Sequence, residues 1–509
     1  MNSWMQRHSL GILLFLLLFA GNSLWLYSTR SIPITDDDIW GATAVLGTSI
    51  EVMIFTLRWD LHPPLYYLLL DCWAIFGKSD LWLSMSSCFI HALISTVAFN
   101  YVYRRHGAVA ALCATALVFC SPLLLEQSVK IRMYPFLALL SLCIFYLIEK
   151  YKEADKKSLL VSIAALGVAL IYSHAIGVIL LFFHFCYGFL SLQARQRRVW
   201  IVMHMLVALT ALPVIANSMI RKLGHALTPA AAQIWQLFQD LLVGGANSHS
   251  AITQQLSATS SSANLLELVI ALLLVLQCLL MLYASRDKTT RNILLCYLVL
   301  PVLVFVLLSY TVKPLWLERN FIFALPILSI MFGICLAKMP TPNWLKLTLV
   351  FAIVGINLSQ SAMQNRRHPT ENSFAQVIEF LQNESQTKAK ICVVAPNHVS
   401  TFWSLQRYLM HTEWGNPTDI QPPLGERWLQ IREQLPESLV KLLKLRAPSH
   451  FSESTDLVIA ASAVERCQQA DITSRYLVIE TRPFDTLNPA YPLIFANDHY
   501  QIFGQEQNQ

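Results

Sequence analysis

Apolar runs of about 20 residues alternate along most of this chain with short polar connections, and each run is long enough to cross a ~30 Å hydrocarbon core as a helix. The runs fall at 9–27, 82–103, 107–125, 133–149, 158–173, 175–192, 199–216, 264–284, 292–309, 321–337 and 345–362, about eleven spans in all. The first follows Arg7 and has no small-residue cleavage site behind it, so it reads as a retained span rather than a removed signal peptide. Leu65 to Phe76 is apolar too, but it is short, carries Asp71 and follows Pro63-Pro64, which suits a helix lying at the membrane surface. Past residue 362 the pattern changes. Helix-like stretches such as 371–383 alternate with β-rich ones such as "KICVVA", "DLVIAA" and "SRYLVIE", predicting a small soluble α/β domain. The expected architecture is an α-helical polytopic membrane protein, with a transmembrane domain over 1–362 and a C-terminal α/β domain over 363–509.

Charge gives the spans a direction. With a cytoplasmic N-terminus, alternation puts Arg104-Arg105, 150–157, 195–198, 286–291, Lys338 and Lys346 all on the cytoplasmic side, as the positive-inside rule requires. The C-terminal domain then lies outside the cytoplasm, with the loop 217–262 and the "TDDD" stretch. The net charge of +6 across 509 residues is spread over these short loops, which argues against nucleic-acid binding. Most of the 11 cysteines sit inside apolar runs without C-x-x-C spacing and read as small buried hydrophobes. Only Cys392 and Cys467 lie in a polar region, and nothing supports a bridge between them. No glycine-rich phosphate loop marks the C-terminal region. No internal repeat is evident, which counts against a transporter built from duplicated halves.

Only 13% of the residues are charged, so polar groups beside apolar runs stand out. They are Asp36, Asp37 and Asp38; Asp60 and His62 in "DLHPPLYYLLL"; Glu126, Lys130 and Arg132 in "EQSVKIRMYPF"; His174 in "YSHAIG"; and Lys313, Glu318 and Arg319 in "KPLWLERNF". All fall on the outer side of the predicted topology, and ionisable groups at membrane depth usually face a cavity or one another. Each also has a plainer reading. Thr35 or Asp36 would cap a helix with Asp37 and Asp38 in its first turn. Tyr66 and Tyr67 would be interfacial anchors after the helix-breaking prolines. Arg132 would snorkel or pair with Glu126, His174 would be a packing histidine, and Arg319 would pair with Glu318 at a rim. The functional reading rests on their shared sidedness.

An acidic pair after the first span, then "DLHPPLYYLLL", then "RMY" opening a later span and "ERNFIFALP" near the last ones together resemble the GT-C membrane glycosyltransferases. The resemblance is to the protein O-mannosyltransferases and the lipid A aminoarabinose or lipopolysaccharide core-sugar transferases, and it covers most of residues 1–362. That group usually carries Asp-Glu in the first loop; here Asp37 and Asp38 stand at those two positions, with Asp36 beside them. The resemblance implies inverting transfer of a sugar from a polyprenyl-phosphate donor to a hydroxyl of a glycolipid or protein on the outer face of a membrane, expected to be a bacterial inner membrane with the C-terminal domain periplasmic.

That chemistry asks for the residue types present. A hydroxyl is a weak nucleophile, so a carboxylate, Asp37 with Asp38 beside it, takes its proton. The departing lipid phosphate gains negative charge, which a guanidinium stabilises most in the transition state: Arg132 first, with Arg319 and Lys313 in support. Asp60, His62 and His174 are candidates to orient substrate. A divalent metal at Asp36 and Asp37 suits carboxylate oxygens, but nothing in the sequence requires one. The competing class is a transporter or flippase for a lipid-linked anionic sugar, which needs cavity arginines but no catalytic acid.

Overall fold

Prolines mark where several helices begin, because a first-turn residue has no intrahelical acceptor for the N–H that proline lacks. The structure of the protein, a computed structural model, describes residues 3–29, 34, 37–45, 62–220, 229, 233–234, 237, 286–312, 314–365, 375–377, 379–380, 391–394, 457–459, 476–480, 493–496 and 500–504. Within it, Pro122, Pro135, Pro301 and Pro326 each lie in the first turn of a helix.

The helices are α1 (Ser3–Thr29), α2 (Asp37–Ala44), α3 (Leu65–Ala74), α4 (Asp80–Phe119), α5 (Pro122–Ser128), α6 (Tyr134–Ala154), α7 (Lys157–Ser173), α8 (Gly177–Ser191), α9 (Ala194–Leu209), α10 (Leu212–Ile220), α11 (Lys288–Leu294), α12 (Leu300–Thr311), α13 (Leu325–Lys338) and α14 (Asn343–Asn365). Among the described residues, four helical stretches are long and apolar enough to cross a membrane: Ser9–Thr29, Asp80–Phe119, Tyr134–Ala154 and Lys288–Thr311. Large apolar side chains such as Leu17 (63% exposed) and Leu206 (61%) remain uncovered by protein, the pattern of surfaces that face lipid.

Several predicted spans take a different form. The runs at 82–103 and 107–125 share the continuous stretch of α4, interrupted at Gly107, where φ is +82°. Only glycine adopts that angle without steric cost, and it separates two segments that as one straight helix would be twice a membrane's thickness. The second run also stops at Phe119 rather than 125, because Pro122 starts the separate helix α5. The runs at 158–173, 175–192, 321–337 and 345–362 appear as α7, α8, α13 and α14, whose apolar stretches are shorter than a full span. The run at 199–216 is shared by α9 and α10. The run at 264–284 lies outside the described residues. A π-helical turn, Leu295–Val299, joins α11 to α12. It precedes Pro301, which cannot donate to the carbonyl four residues back. Helix α3, at 10 residues, is about half a span long.

The chain divides into two compact units, one of Met1–Thr29, Trp59–Tyr66 and Ser84–Arg366, the other of Arg30–Arg58, Tyr67–Leu83 and Arg367–Gln509. In the first, Cys113 and Leu117 of α4 pack with Phe332 and Leu336 of α13 and Val350 and Ile353 of α14. A second cluster joins Ile171, Leu181, Val207 and Val214 from α7, α8, α9 and α10. Polar residues inside the helices bond across them. Asn22 Nδ2 lies 3.1 Å from His91 Nδ1, and Ser128 Oγ donates to Asn22 Oδ1 at 3.2 Å, linking α1, α4 and α5. Likewise His184 lies 3.0 Å from Ser141 Oγ and 2.8 Å from the Tyr297 hydroxyl, joining α8 to α6 and the π turn. Such pairings satisfy groups that lipid could not.

In the second unit, Trp73 and Trp82 stack with centroids 5.0 Å apart, and each indole N–H donates to the other's carbonyl (2.8 and 3.2 Å), closing the turn between α3 and α4. Its C-terminal part holds a five-stranded mixed sheet in the order β2-β1-β3-β5-β4, with β1 at Ile391–Val394, β2 at Leu457–Ile459, β3 at Tyr476–Glu480, β4 at Leu493–Ala496 and β5 at Tyr500–Gly504. Strand β1 runs parallel to β2 and β3, while β3, β5 and β4 are antiparallel neighbours, with Val478 opposite Val393 and Ile502. Most residues between these strands, Cys467 among them, lie outside the description.

Candidate active site

Four of the residues singled out in the sequence belong to the first unit and come from four separate turns. His62 precedes Pro63 and α3. Arg132 lies in the turn between α5 and α6, His174 in the turn between α7 and α8, and Arg319 in the 3₁₀ turn Glu318–Phe321. Proline holds the residue before it in extended backbone, which fixes the approach of His62 to α3.

Their rings form a connected series. The His62 and His174 imidazoles lie with centroids 4.2 Å apart, Tyr134 packs on His174 at 5.5 Å, and the Arg319 guanidinium sits 5.2 Å from the Tyr134 ring centre, within cation–π range. Arg132, two residues before Tyr134, is 5% exposed and His174 4%. The turn carrying Arg319 is fastened by Asn320 Nδ2 donating to the Leu315 carbonyl (3.0 Å), by Leu315 N–H donating to Ser309 Oγ (3.1 Å) and by Phe321 packed between Trp316 and Phe305. His174 is held by the Ile176 amide, whose N–H donates to Nδ1 at 3.1 Å. Burial first, and then the positive charge of His62, Arg132 and Arg319, holds its pKa well below the usual imidazole range. Burial and neighbouring positive charge therefore both oppose a second proton on the His174 imidazole.

The plainer readings meet mixed outcomes. Glu126 pairs with Lys130 at 2.6 Å, and Ser87 Oγ fixes the Lys130 carbonyl at 2.6 Å. Tyr66 (2% exposed) and Tyr67 (0%) are buried in protein, so neither is an interfacial anchor: α3 turns that edge inward. Tyr134, the centre of the ring series, was visible in the sequence only as the last letter of "RMY".

Of the acidic cluster, Asp37 opens α2 and Asp38 follows it in the first turn, where the helix dipole favours carboxylates. Asp38 is partly buried. Asp36, Asp60 and Lys313 lie outside the described residues, and for Asp37 only the backbone is described. Among the described residues no group of three or more His, Cys, Asp or Glu side chains gathers to hold a metal.

No protein-family model matches the chain, and comparison with curated proteins returns no match. Comparison with solved structures is informative. Apo ArnT from Cupriavidus metallidurans aligns with 99% of this chain and 98% of its own, at a TM-score of 0.54 and 12% identity. ArnT from the same organism bound to undecaprenyl phosphate aligns with 97% of this chain and 98% of its own, at 0.57 and 12%. ArnT is a GT-C glycosyltransferase. The chain has the GT-C fold. A fainter likeness, to an oligosaccharyltransferase of Archaeoglobus fulgidus, covers 91% of this chain and 68% of that one at a TM-score of 0.47 and 11% identity. In this chain four separate turns supply the ring series, and the fold agrees with the resemblance that the motifs carry.

Proposed function

We propose that the protein transfers a sugar, with inversion, from a polyprenyl-phosphate donor to a hydroxyl of a glycolipid or protein at the outer face of a membrane that it crosses about eleven times. The observation that carries this reading is the convergence of His62, Arg132 and Arg319 on His174, a buried positive locus suited to a phosphate at the edge of the bilayer. The likeness to ArnT bound to undecaprenyl phosphate supports a lipid phosphate as the ligand class.

In the proposed reaction the acceptor oxygen attacks the anomeric carbon while Asp37 takes its proton, Asp38 serving as the neighbouring acid. The bond between that carbon and the phosphate oxygen breaks, and its electron pair leaves with polyprenyl phosphate. Arg132 stabilises the charge gathering there through a planar fork that matches two phosphate oxygens, with Arg319 and Lys313 in support. His62 and Asp60 orient the sugar. Nucleotide sugars do not cross a bilayer unaided, so outward-facing catalysis needs a lipid-carried donor.

The test is a donor-cleavage assay with purified protein in lipid nanodiscs and a labelled polyprenyl-phosphate sugar. The enzyme releases polyprenyl phosphate and labels an acceptor hydroxyl. A flippase moves the donor across the bilayer chemically intact, and that outcome would replace this reading.

A further inference from the structure

The proposed function leaves unexplained a buried polar atom at the centre of the ring series. His174 is 4% exposed, and its Nε2 has no hydrogen-bond partner. Its other nitrogen is committed, because the Ile176 amide can only donate, so Nδ1 must be the bare, accepting nitrogen. In a neutral imidazole the proton then resides on Nε2. The turn between α7 and α8 thus presents an N–H donor, of fixed tautomer, in a buried place where the described residues offer it no acceptor. A buried donor left unmet costs free energy, and the surroundings indicate what would meet it. Among the described residues, His62 and Tyr134 pack on His174, and the charges of Arg132 and Arg319 act on it. None of the four is an anion, and three carry or can carry positive charge.

We infer, resting on the function proposed above, that His174 donates a hydrogen bond from Nε2–H to a phosphate oxygen of the lipid-linked donor, in a tautomer locked by the Ile176 amide. The charged fork of Arg132 supplies attraction to the phosphate, and His174 supplies direction. A neutral donor suits this position. It adds no repulsion to the cations already there, and the N–H of a neutral imidazole is too weak an acid to surrender its proton to the departing phosphate. The same hydrogen bond strengthens as the phosphate gains charge, so the residue acts on turnover as well as on binding.

His174→Asn and His174→Gln separate this role from packing. Asparagine keeps an oxygen near the Nδ1 position to accept from Ile176 and loses the donor at Nε2; glutamine keeps a donor near Nε2. Binding of polyprenyl phosphate, polyprenol of equal chain length and inorganic phosphate is measured on the purified full-length variants, each checked for its thermal midpoint. The expected result is a loss of about 10- to 100-fold in affinity for polyprenyl phosphate in His174→Asn, as for a hydrogen bond to a charged group. Polyprenol binding stays unchanged, and His174→Gln regains part of the loss. The wild-type to His174→Asn affinity ratio stays constant between about pH 7.5 and 5.5, where a histidine of ordinary pKa would charge; the ratio cancels the phosphate's own ionisation. An unchanged affinity in His174→Asn, an equal loss for polyprenol, or a ratio that climbs as pH falls would each overturn the inference while leaving the functional reading in place. Wild-type protein that binds polyprenyl phosphate no better than polyprenol would instead remove the functional reading itself. Inorganic phosphate competing as strongly as the lipid would reassign the site to free phosphate and overturn the lipid donor.

Discussion

At the residue scale, ionisable groups in an apolar chain announce themselves, but their partners do not. Arg132, His174 and Arg319 could be picked out because each interrupts or borders a run of hydrophobic residues. That His62 lies against His174, and Tyr134 between His174 and Arg319, depends on turns far apart in sequence. Three predictions belong here. Asp37→Asn preserves shape but cannot take a proton, so transfer should fall about 10²–10⁴-fold with the thermal midpoint near wild type; near-normal turnover would remove Asp37 as the base. Arg132→Ala should weaken both donor binding and turnover, with Arg132→Lys restoring only part, since lysine keeps the charge without the fork; steady-state kinetics on the two variants checks this. The third concerns pH. His174 is neutral in the folded protein, with its pKa held well below 6.5, so the unfolded chain binds more protons as pH drops through that value. Stability is therefore full above about pH 6.5 and declines below it. Thermal midpoints at pH 7.5 and 5 should show the decline, and His174→Asn should show less of it.

Helices reveal their beginnings more readily than their neighbours. Pro122, Pro135, Pro301 and Pro326 signal starts by local chemistry alone, and Asp287 caps α11 by accepting from Thr290 N–H at 3.2 Å. How closely two helices approach is a property of the pair. At Gly333 in α13, an added Cβ would stand 2.7 Å from the Ala114 side chain and 2.8 Å from its Cα and amide nitrogen on α4. Backbone cannot withdraw as a flexible side chain could. Gly333→Val should accordingly destabilise the protein by about 1–3 kcal/mol, the cost of overpacking, while Gly355→Val, where nothing lies within 4 Å, should have a much smaller effect; melting in one detergent compares them. Equal midpoints for the two variants would mean that α4 and α13 do not meet there.

For the whole molecule, the basic loops carry the prediction. The basic loops at Arg104-Arg105, 150–157, 195–198, 286–291, Lys338 and Lys346 fall on one side if the N-terminus is cytoplasmic, and about eleven crossings then carry residues 363–509 outside. A phosphatase active only in the periplasm, fused after Gln509, should be active, and a fluorescent reporter that matures only in the cytoplasm should be dark. The opposite pair of signals would require an even number of crossings. One candidate span, 264–284, bears directly on that parity.

The sequence by itself determined where apolar runs lie, which residues start helices, which loops are basic and which polar groups are out of place, because these depend on near neighbours along the chain. It also carried enough motif pattern to indicate the GT-C fold that the tertiary structure bears out. Only the tertiary structure decided that two predicted spans share one stretch interrupted at Gly107, that Tyr66 and Tyr67 turn into protein, that Lys130 pairs with Glu126, and that the Ile176 amide donates to Nδ1 of His174. Each of those follows from packing between segments distant in sequence, or from a backbone amide that happens to reach a ring, and neither leaves a trace in the order of residues.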